Sequence, residues 1–170
     1  FRKNDIRGFI TAKGELKGKI TDPDISINFN VDYPHYKGIR IREIWEGDIK
    51  NENNQFLLNM RNRYSPIPSF LSIKFDYDLK LYDANFIRVF NSNKGTIGIF
   101  KEDNRYNWRA DNFPLDELEL SIRNNQFDRI KGIINGSGSI SSDQTDIDGR
   151  LAWSLGKYRN IELDNSLFDF

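Results

Sequence analysis

Three acidic groupings in this chain have spacings that could do chemistry. Asp146 and Asp148 followed by Gly149 match a fragment of a calcium-binding loop, but the remaining ligands and the closing glutamate are missing, so the segment reads as a solvated turn. Asp76 with Asp78, and Glu117 with Glu119, put paired carboxylates on one strand face, the arrangement acid–base catalysis needs. Each pair lies opposite apolar neighbours and reads as the wet side of a strand. His35 is the only histidine, so no histidine-based triad and no multi-histidine metal site can be assembled from this sequence. It follows Pro34, which predicts an exposed turn. The absence of cysteine removes disulfides and thiolate chemistry while leaving the compartment open. Gly136 and Gly138, with a serine after each, lie between apolar strand positions and do not open a helix, which removes a phosphate cradle. Trp45, Tyr106 and Trp108 could form a stacking platform for sugar rings. No catalytic residue, metal or cofactor is expected.

The elements that would position these side chains are strands. Ile6, Gly8, Ile10, Ala12, Gly14, Leu16, Gly18 and Ile20 occupy every even position of one stretch, against mainly polar odd positions. Alternation at period two marks a strand with one dry and one wet face. Glycine on the dry side is unusual, because it weakens strands and marks bends or close approach. A second strand carries Ile25, Ile27, Phe29, Val31 and Tyr33 on one face, and Pro34 is expected to end it, having no N–H for a ladder. Ile39 and Ile41 resume the pattern, which slips near Trp45 as at a bulge. Short strands are expected at 47–50 and 55–60. A long one-sided strand is expected through Leu71, Ile73, Phe75, Tyr77, Leu79 and Leu81, then strands at 83–93, where Phe86, Ile87, Val89 and Phe90 would also suit a short amphipathic helix, and at 95–100, 106–110 and 117–123, the last with Leu118, Leu120 and Ile122 facing in.

The opening stretch then returns. Ile130, Gly132, Ile134, Gly136, Gly138 and Ile140 match Ile6, Gly8, Ile10, Ala12, Gly14 and Leu16 at one constant offset. After a turn two residues shorter, Ile147, Leu151, Trp153, Leu155, Ile161 and Leu163 match Ile25, Phe29, Val31, Tyr33, Ile39 and Ile41. Residues 6–41 therefore resemble 130–163, and an internal repeat of long strands predicts a stacked β architecture in a single 1–170 segment. The polar lead-in at Phe1 and the apolar pattern still running at Phe168 and Phe170 predict that this segment belongs to a longer protein. With 25 basic and 25 acidic residues, no net field favours nucleic acid. No run of about 18 apolar residues offers a membrane-spanning helix, so the segment itself is expected to be soluble.

Gly132 to Ile140 followed by Asp148 and Gly149, Tyr158 to Phe170, Pro23 to Gly47, and Tyr106 to Leu118 together resemble the repetitive part of TamB and its cyanobacterial and plastid relatives, within the wider AsmA-like, repeating-β-groove group. The resemblance covers most of the chain and consists of spaced apolar and glycine positions, with no invariant motif. It implies an all-β fold: an elongated, curved antiparallel or mixed sheet forming an open U-shaped trough with an apolar interior. It also implies an inner-membrane-anchored periplasmic parent, or one in the plastid envelope intermembrane space, that carries phospholipid acyl chains between membranes and supports outer-membrane biogenesis. An outer-membrane β-barrel partner would act through the parent. The family has no catalytic residues to carry over.

The residues fit a trough for their own reasons. Glycines on the inner face of a closed β-sandwich leave voids that cost stability, whereas in a trough Gly8, Gly14, Gly18, Gly132, Gly136, Gly138 and Gly149 would allow curvature and leave room for an acyl chain. Its wall is expected from Ile6, Ile10, Leu16, Ile20, Ile25, Ile27, Phe29, Val31, Leu71, Ile73, Phe75, Tyr77, Leu79, Leu118, Leu120, Ile122, Ile134, Ile140, Leu151, Trp153 and Leu155. Two other readings stand beside this one. The first is a scaffold that adds partner strands at its open edges during outer-membrane protein assembly or translocation. The second is a carbohydrate-binding β-sandwich.

Overall fold

The computed structural model describes residues 6–19, 22–36, 39–41, 43–52, 55–78, 80–116, 118–120, 128–143 and 145–170. The described residues contain fourteen strands in one sheet. They are β1 (Ile6–Lys19), β2 (Asp22–Tyr36), β3 (Ile39–Ile41), β4 (Ile44–Glu52), β5 (Gln55–Arg63), β6 (Ser69–Phe75), β7 (Leu81–Phe90), β8 (Asn93–Glu102), β9 (Arg105–Pro114), β10 (Leu118–Leu120), β11 (Asp128–Ser141), β12 (Ile147–Tyr158), β13 (Ile161–Leu163) and β14 (Ser166–Asp169). All pairings are antiparallel. The main path runs β1-β2-β4-β5-β6-β7-β8-β9-β11-β12-β14.

This path curls until its two arms approach. At one end they are joined: β10 pairs β3, which extends from the tip of β2, and also pairs the first residues of β11. The sheet is thus ring-like at that end and open elsewhere, a curved trough and not a closed barrel. Curvature shows in the aromatic contacts. Neighbouring strands are about 4.8 Å apart, which puts β4 and β7 roughly 14 Å apart on a flat sheet, yet the rings of Trp45 and Phe86 are 5.8 Å apart.

Tight turns follow local chemistry. Asn91 and Ser92 both have positive φ between the paired ends Phe90 and Asn93, the two-residue turn whose twist matches its strands. The expected strand from Leu71 to Leu81 is in fact two strands. The Asp76 N–H donates to the Lys80 carbonyl at 3.0 Å, and the Lys80 N–H donates to Asp76 Oδ1 at 2.8 Å. This side-chain-to-backbone bond closes a hairpin where alternation alone reads as continuous.

Pro34 does not end β2 either. Arg7 pairs His35 and Phe9 pairs Asp32, so Tyr33 and Pro34 together oppose Gly8 in a bulge. There the missing N–H has no ladder bond to make, and His35, half-buried, continues the strand. The second copy repeats this. Lys131 pairs Lys157 and Ile133 pairs Ser154, leaving Leu155 and Gly156 opposite Gly132. Tyr33 and Leu155, matched in the sequence repeat, have φ of 53° and 51°.

Candidate functional site

The pleat and the register together sort the sheet into rows. Starting from β1, the residues that pair in succession on one face are Ala12, Phe29, Gly47, Met60, Leu71, Phe86, Ile97, Ala110, Gly136, Leu151 and Phe168. The neighbouring row on the same face runs from Gly14 through Ile27, Ile49, Leu58, Ile73, Ala84, Ile99 and Trp108 to Gly138 and Gly149. Neither row contains a polar residue other than the indole N–H of Trp108. On the opposite face the corresponding row includes Lys13, Asn28, Asp48, Asn59, Asn85, Arg109, Arg150 and Asp169. The apolar rows line the concave side, where Trp45, Phe56, Ala110 and Phe113 are buried.

The concave side is filled unevenly. Toward the joined end, Trp45, Phe86 and Phe113 meet edge-on, with Phe86 and Phe113 5.0 Å apart. Arg88 is fully buried against Phe86 and Phe113, with its guanidinium carbon 6.0 Å and 5.8 Å from the ring centres. Its Nε donates to Ser69 Oγ and its Nη1 to the Pro114 carbonyl. Glu43, also buried, lies 3.9 Å from Arg88 Nη2 and accepts from Ser65 Oγ and Asn62 Nδ2. The loop 64–68 folds inward so that Ile67 is 2% exposed. This end of the trough is a packed plug. At the other end Phe56 packs on Phe75 and Tyr77.

Many of the residues expected to line the wall do share this face. Ile25, Ile27, Phe29, Val31, Leu71, Ile73, Phe75, Ile134, Ile140, Leu151 and Trp153 are half-buried. Ile10 and Leu16 share the face, paired with Val31 and Ile25 in the rows flanking those two, but are 68% and 71% exposed. Tyr77 lies in the Asp76 turn, and Leu118 is buried in the joining strand β10. Ile6 and Leu120 are placed by backbone alone, in β1 and β10. Ile20, Leu79 and Ile122 lie outside the described residues. Leu155 departs from expectation: its bulge turns it away, and it is 73% exposed. Met60, Phe86, Ile97, Trp108 and Phe113 also belong to this face, and the alternation within their own strands carried that signal.

The glycines do something other than leave room. Gly8 and Gly132, with φ of 148° and 117°, sit at the two bulges and bend the sheet; Gly18 also has a positive φ, 86°. At Gly14, Gly136 and Gly138, an added Cβ would come within 2.2–2.4 Å of a carbonyl oxygen on the partner strand. The Trp108 indole lies over Gly138 and Gly149, 2.8 Å from where either Cβ would be, and stacks on Phe170 at 6.2 Å and 9°. Their missing side chains admit a neighbouring strand and an indole, so protein, and not an acyl chain, fills the space over these glycines.

Beyond the buried Arg88–Glu43 cluster, ion pairs lie on the outer face and in the turns. Arg105 bridges Asp146, at 2.7 Å, and Asp148. The fragment resembling a calcium loop is therefore engaged by a guanidinium, whose own pKa is raised, chiefly by its hydrogen bond to Asp146. Asp143 accepts from Ser141 Oγ and Thr145, which lowers its pKa. Among the described residues no group of three or more His, Asp or Glu side chains could hold a metal ion. A depression of about 680 Å³ on β1, β2, β4 and β5 is lined largely by outer-face residues such as Asn28, Asn30, Asp48, Asn59 and Arg61. Of the aromatics considered for stacking on sugar rings, Trp45 is 2% exposed and so closed to a ligand, Trp108 stacks on Phe170, and Tyr106 is half-buried. Comparison with protein-family models, curated proteins and solved structures finds no match to the chain.

Proposed function

We propose that this chain is a segment of a bridge-like lipid transport protein of the TamB type, whose concave face carries phospholipid acyl chains between inner and outer membranes. The observation that carries the reading is the pair of adjacent apolar rows crossing the sheet from β1 to β12 and β14, with no charged side chain in either. A methylene moved from water onto such a surface gains about 0.8 kcal/mol, without directional bonds that would stop it sliding. The half-buried side chains of β2 and β12, and the exposed ones of β1 and β14, are where an acyl chain would find uncovered apolar surface. The packed plug makes the joined end blind, so a chain would enter along the open side or from the opposite end. In this reading the parent is anchored in the inner membrane and crosses the periplasm, or the intermembrane space of a plastid envelope.

Native mass spectrometry of the purified chain after incubation with phospholipid vesicles tests the proposal. Bound phospholipid is expected in the parent chain, and in Leu151→Asp its occupancy should fall while the far-ultraviolet circular dichroism stays that of a folded sheet. A closed core would instead lose its fold on burying that charge. Global unfolding of Leu151→Asp together with no lipid on the parent chain overturns the groove.

A further inference from the structure

The concave face changes character at the joined end. Beyond the two apolar rows, the next row runs through Val31, Trp45 and Asn62 and, across loop 64–68, through Ser69, Arg88 and Gly95. Its polar members fasten the loop that connects β5 to β6. Asn62 Nδ2 donates to the Ile67 carbonyl at 2.8 Å, and Asn62 Oδ1 accepts from the Ser69 N–H at 2.8 Å. Ser69 Oγ donates to the same Ile67 carbonyl at 2.9 Å. Ser65 Oγ donates to Glu43 Oε1 at 2.6 Å and accepts from the Ile67 N–H at 3.1 Å. These bonds hold Ile67 buried. Among the described residues, one backbone bond ties the loop to a strand other than its own two, from the Val89 N–H to the Pro68 carbonyl.

Two features give this closed arrangement a cost. Tyr64, where the loop leaves β5, is 88% exposed with a φ of 55°, the left-handed region that a bulky side chain rarely adopts. Trp45 Nε1 is buried with no acceptor, and an unsatisfied buried donor is destabilising. An apolar stopper fixed by packing alone would stay shut, whereas bonds from side-chain amides and hydroxyls exchange for bonds to water at small net cost. Strained at Tyr64 and tied at Pro68, the loop has the makings of a two-state element.

We propose that loop 64–68 is a gate in the trough. It stands closed in this structure, with Ile67 on apolar surface that an acyl chain would otherwise cover. Swung outward about Tyr64 and Pro68, it uncovers Trp45 and continues the apolar rows to the joined end, which is then no longer blind. Ile67 and the acyl chain compete for one surface, so loosening the loop favours the chain and the chain favours the open loop. This role rests on the concave face being an acyl-chain surface; the local opening of the loop does not.

The test uses the whole chain with its I67S and S65A variants, and I67L and S65T as controls that keep the apolar anchor and the hydroxyl. Without lipid, hydrogen exchange of the Trp45 indole N–H, followed by NMR, is expected to be about tenfold faster in I67S and S65A than in the parent, while the amides of β8 and β9 stay protected and the controls match the parent. With vesicles of phosphatidylethanolamine and phosphatidylglycerol containing a phospholipid spin-labelled on its acyl chain, the Trp45 indole signal should lose intensity in I67S and S65A and keep it in the parent. Indole exchange unchanged by I67S, or quickened together with β8 and β9, would overturn the gate whether or not lipid binds. So would bound lipid that broadens the Trp45 signal equally in the parent and I67S. Local opening with no lipid on any chain would support the moving loop and overturn the acyl chain as its competitor, and with it the transport reading.

Discussion

Arg88 and Glu43 are the residues whose removal the sheet would feel most. Both are buried at the plug, and each is held by hydrogen bonds from neighbouring strands and the loop 64–68. Removing one member of such a pair leaves a charge in an apolar setting and costs about 3–5 kcal/mol. Arg88→Met is expected to lower the urea midpoint accordingly, and adding Glu43→Leu should recover part of the loss; an Arg88→Met chain as stable as the parent would show that the pair contributes nothing. Asp143 is a gentler case. Its folded pKa lies below its unfolded value of about 3.9, so the stability it gives the turn 141–146 is complete above the unfolded pKa and is lost as pH falls through the folded one. Amides of Thr145 and Asp146, which bond Ser141 and Asp143, should lose exchange protection in acid, and Asp143→Asn should remove that pH dependence.

At the scale of elements, the duplicated bulge sets the shape of both arms. A two-against-one step bends and twists the longer strand, and it occurs at Gly8 and Gly132 alike. The two glycines are not equally replaceable. A Cβ on Gly132 would come 2.4 Å from Trp153 Nε1, which donates to the Lys131 carbonyl across the same bulge, while on Gly8 the nearest atom is 3.2 Å away. Gly132→Ala is therefore expected to destabilise by about 1–3 kcal/mol and Gly8→Ala by less, with Trp153 fluorescence shifting only in the former. Equal effects in chemical denaturation would mean that φ alone, and not the indole, sets the cost.

The whole molecule is held in its curl by a narrow join. β3 and β10 are three residues each, and Glu119, buried between the arms, accepts from Arg40 Nε at 2.5 Å. Such a join, made by two three-residue strands, should open at lower free energy than β4 to β9. Glu119→Ala is expected to speed amide exchange at 39–41 and 118–120 while leaving the central strands protected. Uniform acceleration across the sheet would show that ring and trough unfold as one unit.

Period-two alternation alone determined that the chain is all-β, where most strands lie, and that one face is dry, because side-chain direction along a strand is a local property of the backbone. The matched glycines likewise determined the repeat, and the structure turned both of them at 8 and 132 into bulges. Whether a strand continues or reverses was beyond that signal: Asp76 makes a hairpin through a side-chain bond that alternation does not encode, and Pro34 survives within β2 only because the bulge excuses its missing N–H. Which apolar residues would be packed and which left uncovered depended on what lies across the sheet. Trp45 is sealed by Phe86 from three strands away, Gly138 is covered by Trp108, and Ile10, identical in pattern to Ile134, stays exposed because no described strand pairs with its edge. Those outcomes depend on curvature and register among residues far apart in the chain, and only the tertiary structure brings them together.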